Sequence, residues 1–159
     1  MVVANHATLV AVSEETLPAL VEIGRELVNS QTAYPMLFDA RWTEGIARTC
    51  MNLPNYFCHM AVLDDGTVCG FIVGSTCHML FSPQVMGVEE TIYVRQGTPF
   101  RTSIAKQLLT AMVHWAFVDR HASFIRAGET SEICPKAVDA FFRSQGFKRA
   151  GTLYKKEVI

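Results

Sequence analysis

The 159-residue chain has the size of one domain, and its composition excludes several classes of protein. Half of its residues are hydrophobic and 18% are charged, whereas a disordered chain combines low hydrophobicity with high net charge. The 14 Lys and Arg against 15 Asp and Glu give a formal net charge of -1. Because phosphate binding needs an excess of positive charge, we do not expect a nucleic-acid partner.

The sequence carries no signal for a membrane or an oxidising compartment. No apolar run reaches the roughly 18–20 residues that span a bilayer, and Met1 to His6 do not resemble a signal peptide. The five cysteines are odd in number and lack CxxC spacing, which disfavours a disulfide framework or a zinc site. We therefore expect one cytoplasmic domain over residues 1–159, with reduced thiols, no metal and no membrane contact.

Strand-like and helix-like segments alternate along the chain, which predicts an α/β or α+β layer fold. The predicted strands are Thr8–Val12, Tyr56–Leu63, Thr67–Thr76, Val88–Val94, Ser123–Ala127 and Thr152–Val158. The predicted helices are Thr16–Asn29, Arg41–Asn52, Thr102–Phe117 and Lys136–Ser144. The segment from His78 to Gly87, which contains Pro83, is predicted to be a loop or the edge of a strand.

Turn and cap residues support several of these boundaries. Asp65-Gly66 supplies the turn of a hairpin between two strands. Thr16 is the expected N-cap of the first helix, and Gly146 fits a left-handed end to the last helix. The helix after Thr102 is the strongest prediction, because its apolar residues recur at helical spacing.

One turn of the chain has a general capacity to bind phosphate. The segment after Val94 leads directly into a helix N-terminus, where unpaired N–H groups and the positive end of the helix dipole gather. Arg101 and Lys106 add positive charge at this place. Many such turns bind nothing, so this feature alone is a weak signal.

Three stretches together resemble the Gcn5-related N-acetyltransferase (GNAT) superfamily. Glu89-Glu90-Thr91-Ile92-Tyr93-Val94, the turn and the helix start at Phe100 to Leu109 are similar to its acetyl-CoA motif. Phe141 to Gly151 resembles its last helix and the Gly-Phe entry to the final strand, and Leu63 to Phe71 resembles its Asp-Gly hairpin. The resemblance covers Thr8 to Val158, and short bacterial and phage acetyltransferases are the most similar members.

The resemblance implies a fold and a reaction. The fold is a central, mostly antiparallel sheet of six to seven strands with about four helices, in which the motif strand and the next strand splay apart. The reaction is transfer of an acetyl group from acetyl-CoA to a primary amine, on a small molecule or a protein, and a homodimer is one option. The residues implied to bind acetyl-CoA are Ile92, Tyr93, Val94, Phe100, Arg101, Thr102, Ser103, Ile104, Ala105, Lys106 and Phe142.

The chain departs from the family pattern in the phosphate turn. When the motif is aligned on Ile104-Ala105, its Arg/Gln falls on Phe100 and its glycines fall on Arg101 and Ser103. Only Ala105 fits the last position. Glycine lets backbone approach a phosphate closely, so binding here relies on the Ser103 N–H and hydroxyl and on the Arg101 side chain.

The catalytic candidates are Glu89, Glu90 and Tyr93. A partly buried carboxylate with a raised pKa suits a general base, and the resemblance favours Glu89. Neighbours on a strand point to opposite faces, but the family often has a β-bulge here, so the sequence does not settle which glutamate faces the cleft. The alternative is that one or both are solvated surface carboxylates. The family's acidic Tyr is replaced by Phe142, which leaves Tyr93 and Tyr154 as stand-ins.

The acceptor site is the least defined part of the sequence. Gln31 to Trp42 lies where the family shapes its acceptor pocket, and Tyr34, Phe38 and the loop residue His78 are candidates for acceptor contacts. The alternative is a satellite core beneath the loop, with His78 as a plain loop histidine. Two further functions stay open: a non-catalytic acyl-CoA-binding or protein-interaction module on the same fold, and transfer of another acyl group.

Overall fold

A computed structural model describes residues 7–30, 37–128 and 134–151 of the chain as a five-stranded sheet with helices on both faces. The strands are β1 (Thr8–Ala11), β2 (Tyr56–Val62), β3 (Val68–Met79), β4 (Ser82–Val94) and β5 (Phe124–Arg126). The helices are α1 (Leu17–Ser30), α2 (Ala40–Asn52), α3 (Arg101–His114) and α4 (Pro135–Ser144), and a π-helical turn, Trp115–Asp119, continues α3. Across these ranges no helix is long and apolar enough to cross a membrane.

The sheet has the order β1-β2-β3-β4-β5. The first three ladders are antiparallel and the β4–β5 ladder is parallel. The predicted α+β fold with a mostly antiparallel mixed sheet is therefore confirmed. The predicted total of six to seven strands is not confirmed, because the described residues form five. The predicted strand over Thr152–Val158 lies outside them.

Two apolar clusters fill the two faces of the sheet. On the face that α3 covers, here called the α3 face, Ile72 of β3 packs with Ile104, Leu108 and Met112. On the opposite face, here called the α1–α2 face, Phe71 of β3 packs with residues that include Leu20, Ile23 and Ala47. Consecutive residues of β3 enter different clusters because side chains alternate along a strand.

A hydrogen-bonded turn from Ser13 precedes α1, which begins at Leu17, directly after the predicted cap, Thr16. The Ser13 N–H donates to the Thr16 hydroxyl over 2.8 Å, and the Thr16 N–H donates to the Ser13 hydroxyl over 3.3 Å. The Leu17 N–H donates to the Ser13 carbonyl over 2.9 Å and closes this turn. The Thr16 carbonyl accepts a bond of 3.1 Å from the Leu20 N–H, so Thr16 occupies the cap position at the start of α1.

The segment from His78 to Gly87, predicted as a loop or the edge of a strand, forms the end of a long hairpin between β3 and β4. His78 lies in β3, opposite Val85 of β4, and its Nδ1 lies 3.0 Å from the Pro83 carbonyl oxygen. Pro83 is tolerated because it sits in a register shift at the end of the ladder, where a missing N–H removes no regular bond. The tip exposes Leu80 and Phe81.

Candidate active site

The candidate site begins where β4 separates from β5. The parallel ladder consists of Met86, Gly87 and Val88 against Phe124, Ile125 and Arg126. From Glu89 to Val94, β4 continues beside β3 without a β5 partner. Among the described residues, no strand pairs with this edge of β4 from Glu89 to Val94, in keeping with the splay that the family resemblance implies.

Backbone groups on this open edge are available to a ligand. The Arg95 N–H donates to the Cys69 carbonyl over 2.8 Å. Because peptide groups alternate in direction along an antiparallel strand, those of Ile92 and Val94 point away from β3. The Val94 carbonyl accepts a bond of 2.9 Å from Nε of Arg101. The guanidinium of Arg101 therefore lies between the strand edge and the start of α3.

The start of α3 presents unpaired backbone donors. Phe100, the N-cap, is in the left-handed region at φ 56° and ψ 28°, and its side chain makes no capping hydrogen bond. The Ile104 N–H donates to the Phe100 carbonyl over 3.0 Å, so the helical ladder begins there. The N–H groups of Arg101, Thr102 and Ser103 precede that point and have no intrahelical acceptor.

The later predicted members of the turn take other roles. Ile104 is 1% exposed and belongs to the apolar cluster of the α3 face, and Ala105 packs against that cluster. Lys106 is exposed. The backbone N–H groups that can contact an anion are therefore those of the first turn of α3.

A β-bulge determines which of the two adjacent glutamates points to the α3 face. Thr91 pairs with Val73, and the next pair is Glu89 with Gly74, so Glu90 is the extra residue of β4. A Cβ on Gly74 would lie 2.9 Å from Cγ of Met112, which places that position on the α3 face. Directly paired residues share a face, so Glu89 points to the α3 face. Glu90 accepts a 2.6 Å bond from the Ser75 hydroxyl on the α1–α2 face.

Glu89 is a buried carboxyl that accepts a hydrogen bond from a backbone N–H. It is 8% exposed, and its Oε2 accepts a bond of 3.3 Å from the Gly128 N–H. Burial raises the pKa of Glu89 to about 7; the Gly128 bond opposes this rise, and the charge of Glu90 adds to it. Gly128 follows β5, so the bond crosses the point where the strands separate. A carboxyl with this pKa exchanges a proton near neutrality.

Tyr93 lies on the other side of the sheet from Glu89. Its ring faces Phe71, with 6.3 Å between centroids. Burial and the nearby charge of Glu26 raise the pKa of the Tyr93 hydroxyl, so it stays protonated. Arg95 holds Glu26 through two bonds of 2.6 Å and donates a third to the Val68 carbonyl. Tyr154 lies outside the described residues.

Three other predicted site residues, Phe142, Phe38 and His78, have the following contacts. Phe142 packs edge-on against Phe141 and Phe147, each with 5.4 Å between ring centroids. Phe38 lies under the Arg25 guanidinium at 4.7 Å. His78 sits in the β3–β4 hairpin, and Tyr34 lies outside the described residues.

Sequence reasoning missed Gly74, Ser75 and Gly128. Each acts through a partner that is far away in the chain: Met112, Glu90 and Glu89. No local motif marks such partners. Within the described ranges, no three His, Cys, Asp or Glu side chains gather into a group that could hold a metal ion.

This chain resembles known proteins in its structure but not detectably in its sequence. No protein-family model matches the sequence, and no curated protein sequence matches it. Solved structures match over nearly the whole chain. An aminoglycoside N-acetyltransferase, AAC(6')-Iy in complex with CoA, superposes with a TM-score of 0.74 at 16% identity, covering 96% of this chain and 95% of that one.

Two other structures extend the likeness. The aminoglycoside 6'-N-acetyltransferase AAC(6')-IG from Acinetobacter haemolyticus has a TM-score of 0.71 at 16% identity, over 96% of this chain and 99% of that one. An acetyltransferase from Trypanosoma brucei has a TM-score of 0.71 at 14% identity, over 95% and 99%. The expected acetyltransferase fold is thereby confirmed.

Proposed function

We propose that this chain, which has the fold of these acetyltransferases, transfers an acetyl group from acetyl-CoA to a primary amine with Glu89 as general base. One observation carries the proposal. The unpaired edge of β4 leads from a buried carboxyl with a pKa of about 7 to the open N-terminus of α3. A fold alone does not assign an activity, so the argument rests on this site.

The residues present fit acetyl-CoA as the co-substrate. The first-turn N–H groups of Arg101, Thr102 and Ser103 and the positive helix end suit a pyrophosphate. The Arg101 side chain adds a charged donor beside them. The outward peptide groups of Ile92 and Val94 suit the amides of an extended pantetheine arm, in the manner of an added strand.

Glu89 lies where the chemistry needs a base. Its carboxylate takes a proton from the acceptor ammonium, directly or through a water. The freed amine then attacks the thioester carbonyl, so that a C–N bond forms, the C–S bond breaks and the thiolate leaves. N–H groups near the carbonyl oxygen stabilise the charge that develops there.

The proton for the leaving thiolate has no assigned donor. Phe142 has none to give, and the Tyr93 hydroxyl belongs to the α1–α2 face beside Glu26. The simplest proposal is that the thiolate leaves into water. Its low proton affinity, with a thiol pKa of about 8.5, makes it a tolerable leaving group.

A second candidate is acyl-CoA binding without transfer. It is favoured by the Arg101 side chain, whose Nε already occupies the Val94 carbonyl at the strand edge. In that case the protein binds acetyl-CoA but no amine increases the release of CoA.

Calorimetric titration with acetyl-CoA, with CoA and ATP in parallel, tests the site first. We expect micromolar binding of acetyl-CoA and CoA and weaker binding of ATP, which lacks the pantetheine arm. Arg101→Glu is expected to weaken binding about 100-fold, because a charge-assisted contact is replaced by repulsion. Arg41→Glu, an exposed arginine of α2, makes the same charge change elsewhere and is the control.

A panel of amines then separates the two candidates. Aminoglycosides, polyamines, free amino acids and lysine peptides are mixed with protein and acetyl-CoA, and free thiol is measured. Acceptor-dependent release supports the transferase, and binding without release supports the second candidate. Absence of binding at millimolar acetyl-CoA contradicts both.

A further inference from the structure

A cavity of about 500 Å³ lies at the start of β2, and no residue of β4 or β5 lines it. Its wall is formed by the ends of β1, α2 and α3, the start of β2 and the π-helical turn after α3. Two thiols, Cys50 and Cys58, line it together with His59, Trp115 and Asp119. The acetyl-transfer site proposed above uses none of these residues.

The two thiols differ in exposure but share their surroundings. Cys58 is 4% exposed and belongs to the apolar cluster of the α1–α2 face. Cys50 is half-buried near the end of α2 and packs against the same cluster. The connection from α2 to β2 returns the chain so that residues eight positions apart meet at one cavity.

The pair is arranged so that one thiol is the nucleophile. The neighbouring Cys58 thiol favours the Cys50 thiolate and lowers the pKa of Cys50, against the opposing effect of burial. The neighbouring Cys50 thiol and burial raise the pKa of Cys58. The thiolate is the reactive form of cysteine, so Cys50, which is also the more exposed of the two, reacts first.

We propose that Cys50 and Cys58 are a modification site, at which a peroxide oxidises the two thiols to a disulfide that fastens the end of α2 to β2. The Cys50 thiolate attacks a peroxide oxygen, becomes a sulfenic acid and releases hydroxide, which a proton converts to water. The Cys58 sulfur then attacks the sulfenic sulfur, the S–S bond forms, and a second water leaves. One hydrogen peroxide is reduced to two waters, and the two thiols lose two hydrogens.

The other described cysteines lack this arrangement. The Cys69 thiol donates to the Ala61 carbonyl over 3.4 Å within the sheet. Cys77 lies in the exposed β3–β4 hairpin, and Cys134 is exposed ahead of α4. Exposure alone therefore predicts oxidation at Cys77 and Cys134, whereas the proposal predicts a Cys50–Cys58 bond.

Peroxide treatment of the folded protein, followed by alkylation of free thiols and peptide mass mapping, decides between these patterns. We expect a Cys50–Cys58 peptide pair that a thiol reductant removes, formed about tenfold faster than Cys77 is oxidised. The Cys77→Ser/Cys134→Ser double variant should form it equally fast, since neither removed thiol takes part. Protein unfolded in urea is the reference, because its cysteines pair without the folded geometry.

The Cys58→Ser variant isolates the first step. It should stop at a Cys50 sulfenic acid, which a sulfenic-acid-specific reagent traps. If this variant does not fold, the experiment on the unaltered chain still decides the matter. Oxidation confined to Cys77 and Cys134, or a Cys50 sulfenic acid that persists in the unaltered chain without the disulfide, would overturn the proposal.

Discussion

Carboxyl groups on the two faces of the sheet differ in their hydrogen-bond partners. On the α3 face, Glu89 is buried and accepts a bond of 3.3 Å from the Gly128 N–H. On the α1–α2 face, Glu26 is held by the Arg95 guanidinium and Glu90 by the Ser75 hydroxyl, each over 2.6 Å. Burial favours the protonated acid at Glu89, whereas the other two carboxylates have a charged or hydroxyl partner at close range.

The difference shows how two residues that are adjacent in the chain come to lie in different surroundings. Glu89 and Glu90 have the same chemistry and adjacent positions, and a single extra residue in β4 decides which of them points to the α3 face. Burial then raises the pKa of Glu89 to about 7. The comparison therefore predicts that proton transfer belongs to the α3 face.

Glu89→Gln should have the largest effect. Without a base, kcat is expected to fall by about 100-fold or more, the usual contribution of general base catalysis. Steady-state rates with the best amine of the panel measure this. In the unaltered protein, kcat/KM should rise with pH and level off above about 7, the pKa of Glu89.

Glu90→Gln and Glu15→Gln are the matched controls for that loss. Glu90 lies on the opposite face, and Glu15 is an exposed residue ahead of α1. Both are expected to retain most of the activity and the same pH profile. A greater loss in Glu90→Gln than in Glu89→Gln would reverse the assignment.

The same Glu89→Gln variant should be more stable than the unaltered chain at alkaline pH. Because folding raises the pKa of Glu89 from 4.5 to about 7, the folded state binds this proton more tightly, and stability falls as pH rises between those values. The full penalty above pH 7 is about 3 kcal/mol. Urea unfolding should show that gain at pH 8 and almost none at pH 4; equal gains at both would indicate that burial does not destabilise the charge.

Glu26→Gln tests the paired carboxylate of the α1–α2 face. Glu26 and Arg95 have side chains that are 35% and 29% exposed, and their contact has two bonds. We expect a loss of about 1.5 kcal/mol in the free energy of unfolding, the usual range for charge-assisted bonds. Asp139→Asn breaks the more exposed pair with Arg143 in α4 and should cost less than about 0.5 kcal/mol. If the two substitutions lower the free energy of unfolding equally, the less exposed ion pair is no more stabilising than the more exposed one.

Ser75→Ala should have the smallest effect. It removes the 2.6 Å bond to Glu90, but the exposed carboxylate can bind water instead, so the cost is about 0.5–1 kcal/mol. Activity should stay near that of the unaltered chain, measured in the same amine assay. A large loss of kcat would indicate that Glu90 takes part in proton transfer.

The elements were largely predictable from the sequence, and the site was only partly so. The helical spacing of Ile104, Leu108 and Met112 predicts α3, because a buried helix face must be apolar every three to four residues. The β3–β4 hairpin was predicted as a loop or strand edge, because Pro83 normally interrupts a strand. The register shift that accommodates it depends on the partner strand.

The sequence by itself determined the order of strands and helices, the turn into α3 and the presence of two adjacent glutamates on one strand. Local propensity and hydrophobic period carry that information. Only the tertiary structure decided which glutamate is buried, through the bulge opposite Gly74 and the Gly128 N–H that reaches Glu89. The physical reason is that burial and pairing depend on contacts between residues about 15 to 40 positions apart, which no local pattern specifies.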